Sequence, residues 1–440
     1  MSDFPQRPRF SRSFERTDRP SDRPADRPDR PPPRPLERVP EGTPSPWVQL
    51  RSLTSHPFIF QRMMANIDPQ AHPGDIVAVY DRGAQLFGRG IFNPRSQIAL
   101  RMLSLGPDPI DEAFFKKRLL QAVTLREQLR LSEITDTYRL VHSEGDGLSG
   151  LIVERYADWL VFEIFSLGFY HRLGLVQRIL TEIAGKPASL DRPNRPPPQW
   201  QTFARADSHI QSIEGFRLEP PEGQRPPSVV IREHGLRYRV DIASGHKTGF
   251  FCDQRENRKR LATFCKDAQV LDLCCYSGGF SLCAKQLGGA REVTAVDLDE
   301  AAIAIAKDNA NLNQAKLDFA HADAFIYLRQ MIANGRQFDV VVLDPPKFAP
   351  TRDDLETAEA KYHDLNNLAA QVIRPGGLLL TCSCSGLVSR DMFIETIHRG
   401  IRRGGKRAQL LEITGAGPDH PVMLNCPESF YLKAAWIRVL

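Results

Sequence analysis

The chain has 440 residues, about three times a ~150-residue domain, so two or three domains around a large buried core are expected. It is 41% hydrophobic and 25% charged, with no apolar run near the ~18 to 20 residues of a membrane span and no basic-then-apolar leader, which reads as a soluble, cytoplasmic protein. Its eight cysteines include no CxxC pair and fit neither a disulfide framework nor a zinc site, while 58 basic against 53 acidic residues (net +5) permit a nucleic-acid partner without requiring one.

Residues 1–46 carry 12 of the 34 prolines, ten arginines and eight acids in a stuttering DRP pattern. So little apolar surface cannot offset the entropy of ordering, and the segment reads as a disordered spacer. From Trp47 short β-prone runs follow: IVAVY at 76–80, LFGRGIF at 86–92 and QIALRML at 97–103, broken by Gly74, Gly83 and Pro94. They predict a small β-barrel over 47–112. Arg51, Arg62, Arg82, Arg89, Arg95 and Arg101 are spread across it and could meet phosphates.

A Leu- and Arg-rich helix is expected from about Ala113, then a strand, a Gly-rich turn and two hairpin strands through YRLVHSEGDGLSGLIVERYADWLVFEIF, and a helix over 173–183. Pro-rich stretches at 192–198 and 220–227 read as exposed loops closing a middle domain of 113–228. Beyond Val229 strands and helices alternate: VLDLCC at 270–275, EVTAVDLD at 292–299, KLDFAHAD at 316–323, FDVVVLDPP at 338–346 and GLLLTCSCS at 377–385. That alternation predicts an α/β fold with a doubly wound parallel sheet, closed by QLLEIT and FYLKAAWIRVL as an antiparallel edge. Such a sheet binds its ligand where its strands end.

The chemistry-bearing residues lie at those ends. Asp272-Leu-Cys-Cys-Tyr-Ser-Gly-Gly-Phe280 has neither the GxGxxG nor the GxxxxGK[ST] spacing, which disfavours NAD, FAD and ATP. Gly278 and Gly279 would let a ligand approach the backbone. Asp297 ends the second strand, where a carboxylate can accept from both hydroxyls of a ribose, and Asp323 ends the third. Each acid alone would serve as a helix cap. The ordered set suits a ligand with a ribose, an adenine amino group and a cationic amino-acid part, and S-adenosylmethionine has all three. Asp344-Pro345-Pro346-Lys347-Phe348 makes a rigid turn suited to holding a flat base, with Lys347 where many amino-methylating enzymes carry an aromatic residue.

The fifth strand runs into Thr381-Cys382-Ser383-Cys384-Ser385-Gly386. Methylating C5 of a pyrimidine requires a nucleophile to add first to C6, and a thiolate does this well. Cys382 and Cys384 share a face if the strand persists, and the residues alone do not choose between them. Cys274, Cys275 and Cys283 read as core. Upstream, Ser244-Gly-His-Lys-Thr-Gly-Phe-Phe-Cys-Asp-Gln-Arg255 could cover the cofactor or hold a flipped-out base, because aromatic faces stack on bases and Lys or Arg neutralise phosphates, with Lys247, Phe250, Gln254 and Arg255 as the substrate-binding candidates.

With these residues in view, 47–440 resembles the bacterial type-I large-subunit ribosomal RNA cytosine-5 methyltransferases, most specifically at HKTGFFCDQR (246–255), DLCCYSGGFS (272–281), LDPPKF (343–348), SCSG (383–386), DHPV (419–422) and FYLK (430–433). HPFIF, RGIFNPRSQI and SEGDGLSGL in the amino-terminal half look like it too. The resemblance implies a PUA-like RNA-binding barrel, a small α+β middle domain and a Rossmann-like class I methyltransferase domain over 229–440. It implies S-adenosylmethionine held by Asp272, Tyr276, Ser277, Gly278, Phe280, Asp297, Asp323 and Asp344, Cys384 as nucleophile, and Asp344 steadying the base. It implies 23S ribosomal RNA or a large-subunit assembly intermediate as partner, and leaves monomer or homodimer open. Lys347 is the residue considered as acceptor of the C5 proton. Methylation of a guanine N7, which needs no thiol, and a non-catalytic RNA-binding assembly factor are the competing readings.

Overall fold

The computed structural model describes residues 35–185, 199–219, 226, 228–243 and 249–440. The first 34 residues of the tail, Lys247 and the two Pro-rich stretches, apart from Pro226, lie outside them.

The β-prone runs after Trp47 form one six-stranded sheet from β1 (Trp47–Leu50), β2 (Phe58–Ile59), β3 (Met64–Ile67), β4 (Ile76–Tyr80), β5 (Leu86–Phe92) and β6 (Leu100–Leu105), in the order β2-β6-β5-β4-β1-β3. Only the β1/β4 pair is parallel. Its two edge strands, β2 and β3, are joined by a single 3-10 turn at Gln61–Met63, so the sheet curls round a small core of Val48, Leu50, Val77, Val79, Phe92 and Leu100. Arg101 departs from the phosphate-binding expectation. It is 8% exposed and faces Glu214 (3.7 Å) and Glu144 (3.9 Å) of the following unit, because a β6 cation opposite two buried acids neutralises them. Arg51, Arg62 and Arg95 remain exposed.

Next come α1 (Glu112–Gln128), β7 (Thr137–His142), β8 (Leu151–Tyr156), β9 (Trp159–Ile164), α2 (Leu167–His171), α3 (Leu173–Ile183), β10 (Gln201–Arg205) and α4 (Ser208–Glu214). Asp111 starts α1 by accepting from the Phe114 amide, and the helix buries Phe115, Leu119 and Val123 on the β10-β9-β8-β7 sheet. The β7/β8 and β8/β9 pairs are hairpin-type, whereas β10 returns parallel to β9 after the α2–α3 crossover, a strand the sequence pattern did not reveal. The hairpin of β11 (Ser228–Glu233) and β12 (Leu236–Asp241) then leads into a seven-stranded sheet.

That sheet comprises β13 (Gln269–Leu273), β14 (Glu292–Asp297), β15 (Asp318–His321), β16 (Phe338–Leu343), β17 (Ile373–Ser383), β18 (Ala408–Thr414) and β19 (Lys433–Val439). Its helices are α5 (Arg255–Ala262), α6 (Gly279–Leu282), α7 (Glu300–Leu312), α8 (Ala324–Ala333), α9 (Leu355–Gln371) and α10 (Arg390–Arg403). The order β15-β14-β13-β16-β17-β19-β18 is parallel except for β19, antiparallel to both neighbours. The chain winds outward from β13 to β15 and then resumes on the other side at β16, so a crevice opens above β13 and β16. β17 ends at Ser383, earlier than the run to Ser385 suggested. Among the described residues no helix is long and apolar enough to cross a membrane.

Candidate active site

A cavity of about 690 Å³ occupies that crevice. Where β13 stops, Cys274 (φ 61°), Tyr276 (φ 47°) and Gly278 (φ 77°) take left-handed backbone conformations within five residues. Glycine does so freely, while the other two cost of order 1 kcal/mol or more each and persist only because the surroundings hold them. The Tyr276 amide donates to Asp297 Oδ2 (2.8 Å), Asn309 Nδ2 donates to the Ser277 carbonyl (3.0 Å), and a Cβ on Gly278 would sit 3.3 Å from Ala306 Cβ.

Asp272 lies behind this turn, not on the cavity wall. It is fully buried, and its Oδ2 accepts from the Ser281 amide (3.0 Å) and hydroxyl (2.6 Å), clamping the start of α6. Its Oδ1 has no partner among the described residues. Burial pushes this carboxyl up to about 7, against the Ser281 bonds that favour its ionised form.

Tyr276, Ser277, Phe280, Asp297, Asp323 and Asp344 all line the cavity. Asp297 spends one lone pair of each oxygen on the amides of Tyr276 and Asp299, leaving the others for ligand hydroxyls. Leu298 beside it is 65% exposed and offers an apolar face for a ring. Asp323 caps α8 through the amides of Phe325 and Ile326 while still facing the cavity, so the capping and ligand readings of that acid coexist.

On the opposite wall stand Asp344, Pro345, Pro346, Lys347 and Phe348, with Cys384 at the end of β17. Ser385 ties the two loops together, its hydroxyl accepting from the Ala349 amide (3.2 Å) and lying 3.3 Å from the Tyr362 hydroxyl. Because β17 stops at Ser383, the strand alternation that would pair Cys382 with Cys384 does not reach Cys384, and only Cys384 lines the cavity. Cys382 is fully buried among Leu380, Ala434 and Trp436, and burial raises its thiol well above the ordinary range. Cys384 is partly exposed. Cys275 and Cys283 are buried as expected of core residues, whereas Cys274 is partly exposed to the cavity, its thiol raised by burial and by the surrounding carboxylates.

Asp344 is held from behind by a chain of hydrogen bonds with one polarity. Trp436 Nε1 donates to Thr414 Oγ1 (2.9 Å), Thr414 donates to Asn257 Oδ1 (2.6 Å), Asn257 Nδ2 donates to Gln254 Oε1 (2.6 Å), and Gln254 Nε2 donates to Asp344 Oδ2 (3.1 Å). An indole N–H can only donate, and Asn257 Nδ2 also meets the Gly415 carbonyl (3.2 Å), which can only accept. Both ends of the Asn257 amide are therefore fixed, and Asp344 Oδ2 is an acceptor.

The segment expected to hold a base divides. Gln254 reaches the cavity. Phe250 is 1% exposed, with the Arg258 guanidinium 4.6 Å above its ring, and borders a second cavity of about 780 Å³ instead. Arg255 is fully buried and makes a two-bond ion pair with Asp419 (2.7 and 3.2 Å), so it is committed inside the protein rather than offered to phosphate. A buried guanidinium needs such a partner, and nothing local in the sequence pointed to an acid 164 positions on. Asp419 also accepts from the Arg139 amide, and its carbonyl from Arg126. Burial raises its carboxyl, but His420 and Arg255 outweigh that and hold it well below the usual range. The two cavities share Phe251 and Asp253, whose Oδ2 accepts from the Tyr431 hydroxyl (2.6 Å). Sequence reasoning missed Asn257, Asp253, Asp419, Tyr431 and Lys433. The only signal for the last three was their place in the DHPV and FYLK segments.

The model of the S-adenosylmethionine-dependent methyltransferases matches residues 139–419, and that of a PUA-like domain matches 51–105. The chain is 38% identical over 392 residues to ribosomal RNA large subunit methyltransferase I of Aliivibrio fischeri (strain MJ11), covering 88% of this chain and 96% of that protein. It is 36% identical over 396 residues to the Salmonella arizonae protein of that name, covering 88% and 94%. Among solved structures, SMU.776, a methyltransferase complexed with SAH, superposes with a TM-score of 0.72 at 21% identity, over 87% of this chain and 96% of that one, a likeness of fold.

The residues present fit the cofactor this match brings. Asp297 has lone pairs left for hydroxyls, Leu298 offers an apolar face, and Ser277 and Gly279 line the cavity on either side of Gly278, whereas Gly278 itself and the buried Asp272 shape the turn from behind. When bound, S-adenosylmethionine supplies an electrophilic methyl group. With its sheet order, its cavity and its relatives in agreement, the chain belongs to the S-adenosylmethionine-dependent methyltransferases, in the ribosomal RNA large subunit methyltransferase I family.

Proposed function

We propose that this enzyme methylates C5 of a cytosine in 23S ribosomal RNA through a transient bond between Cys384 and C6 of the base. The observation that carries the reading is the cavity wall on which Cys384 joins Asp344 opposite Asp297. Of the eight cysteines only Cys274 and Cys384 are partly exposed, and Cys274 is surrounded by carboxylates that suppress its thiolate. A thiol at that wall has a use in carbon methylation and none in methylation of a ring nitrogen.

In this mechanism the Cys384 sulfur forms a bond to C6, the C5–C6 double bond opens, and negative charge spreads to C5 and the N3–O2 edge. Asp344, fixed through Gln254 at Oδ2, steadies that edge with a proton on Oδ1. C5, made electron-rich, would accept the methyl group that S-adenosylmethionine, held at Asp297 and the turn after β13, would supply. A base then removes the C5 proton and the thiolate leaves; exposed Lys347, on the same wall, is the candidate acceptor. The printed names of the relatives and the PUA-like domain support ribosomal RNA as substrate. We assign RNA binding to a barrel over 47–112, support to a middle domain over 113–228, catalysis to 229–440, and no role to the tail.

Nucleoside analysis of 23S RNA from cells with and without the gene tests this reading. Loss of one 5-methylcytidine with the gene is expected. Loss of a 7-methylguanosine instead would replace it with the nitrogen-methylating alternative, and an unchanged RNA that still leaves cofactor binding intact would move the substrate elsewhere.

A further inference from the structure

Lys433 opens β19 and is 1% exposed. Its nitrogen donates to the backbone carbonyls of Ser385 (2.7 Å) and Tyr431 (2.9 Å), and among the described residues no carboxylate pairs with it. Four other buried cations are treated differently: Arg126 has Asp146, Arg139 has Glu154, Arg255 has Asp419 and Arg258 has Glu233. Two neutral carbonyls do not replace the hydration of a full positive charge, so this ammonium lacks a counter-ion.

Its position indicates which group fills that role. β19 runs antiparallel to β17 with Lys433 directly opposite Ser383, and the first carbonyl it holds belongs to Ser385. Cys384 lies between those two residues. We propose that Lys433 is the counter-charge of the Cys384 thiolate, a positioning residue that keeps the nucleophile ionised without touching the RNA. The proposal rests on the reading of Cys384 as nucleophile and deepens it.

The nitrogen is built for that exchange. Two of its hydrogens are held by carbonyls in the amine as well as in the ammonium, and only the third position changes between lone pair and proton. Transfer of the thiol proton to the amine breaks the S–H bond, forms an N–H bond and leaves both carbonyl contacts intact. Burial lowers Lys433 to about 8, the charge of Cys384 acts to raise it again, and Lys347 acts with burial. The other charged groups on this wall are Lys347 and Lys361, which assist the thiolate, and Asp344, which opposes it. Tyr362, pushed up to about 12 by burial, and the buried Cys382 stay neutral near pH 7.

The test is alkylation of the full-length protein by iodoacetamide across pH, read by mass spectrometry on the peptide carrying Cys384. The midpoint in the native enzyme should lie below the ~8.5 of a free cysteine. Lys433→Gln, which keeps a donor and removes the charge, should raise it by about one unit or more, and Lys433→Arg should restore most of the difference. A native midpoint at or above ~8.5 overturns the proposal whether or not the variants fold. So does an unchanged midpoint in a Lys433→Gln protein that melts like the native one. A low midpoint that follows Lys433, without any adduct on RNA carrying 5-fluorocytosine, upholds the charge pairing and removes the nucleophile reading. An adduct combined with a midpoint indifferent to Lys433 does the reverse.

Discussion

Asn257→Asp is an isosteric change that should reverse the hydrogen-bond chain behind Asp344. Asn257 is 1% exposed and presents its amine to Gln254 Oε1 at 2.6 Å and to the Gly415 carbonyl at 3.2 Å. A carboxylate there cannot donate, so the Gln254 amide must turn its nitrogen toward residue 257 and its oxygen toward Asp344. The 3.1 Å donation to Asp344 Oδ2 then becomes an acceptor facing an acceptor. Two buried acceptors facing each other cost about 1 to 3 kcal/mol and Asp344 loses the contact that orients it, so methyl transfer should fall about 5- to 150-fold, with the pH optimum moving upward as Asp344 holds its proton more tightly. The Gly415 carbonyl loses its donor as well, which adds about 1 to 3 kcal/mol of instability. Single-turnover methyl transfer across pH, beside a melting curve, reads both. Turnover within about twofold of the native enzyme and an unmoved pH profile would refute the claim that this chain orients Asp344.

Asp419→Asn should leave the buried Arg255 with only the half-exposed Glu256, 3.2 Å away, as its anion and cost about 2 to 4 kcal/mol in chemical denaturation, whereas a loss below about 1 kcal/mol would show that the pair is dispensable. Asp297→Ala should weaken S-adenosylmethionine by about 2 to 3 kcal/mol in calorimetric titration, since two charge-assisted hydrogen bonds to ribose hydroxyls are lost; unchanged affinity would remove Asp297 from the site. Asp272 rises from 3.8 to about 7 on folding, so the folded protein holds a proton that the unfolded chain releases. That contribution is fully present below about 4 and is lost as pH rises through about 7, so the stability advantage of the native protein over Asp272→Asn should shrink by about 2 to 3 kcal/mol from pH 5 to 7. Denaturation curves at the two pH values that move in parallel would contradict it.

Local pattern carried much of this protein. The strands at 76–80, 86–92 and 292–297 and the helix at 173–183 follow directly from alternation, helical period and turn residues, and of the acids at the strand ends Asp297, Asp323 and Asp344 line the cavity while Asp272 does not. What stayed hidden depends on distant pairing. Arg101 and Arg255 look like phosphate contacts in sequence because their neutralising acids, Glu214 and Asp419, come from other elements. The different burial of Cys382 and Cys384 goes with two residues of strand length, and the antiparallel pairing with β19 stops at Ser383 opposite Lys433. The chain from Trp436 to Asp344 joins four separate segments, and no local period could have revealed it.

The most direct measurement is a covalent trap on 23S RNA carrying 5-fluorocytosine at the target, incubated with enzyme and S-adenosylmethionine. Fluorine at C5 cannot leave as a proton, so the bond to C6 should persist and mass spectrometry should find the nucleotide on Cys384. Cys384→Ala should abolish the adduct and methyl transfer together, while Cys382→Ala keeps both. An adduct on Cys382 would move the nucleophile, and full turnover with both cysteines replaced would contradict cytosine-5 chemistry altogether.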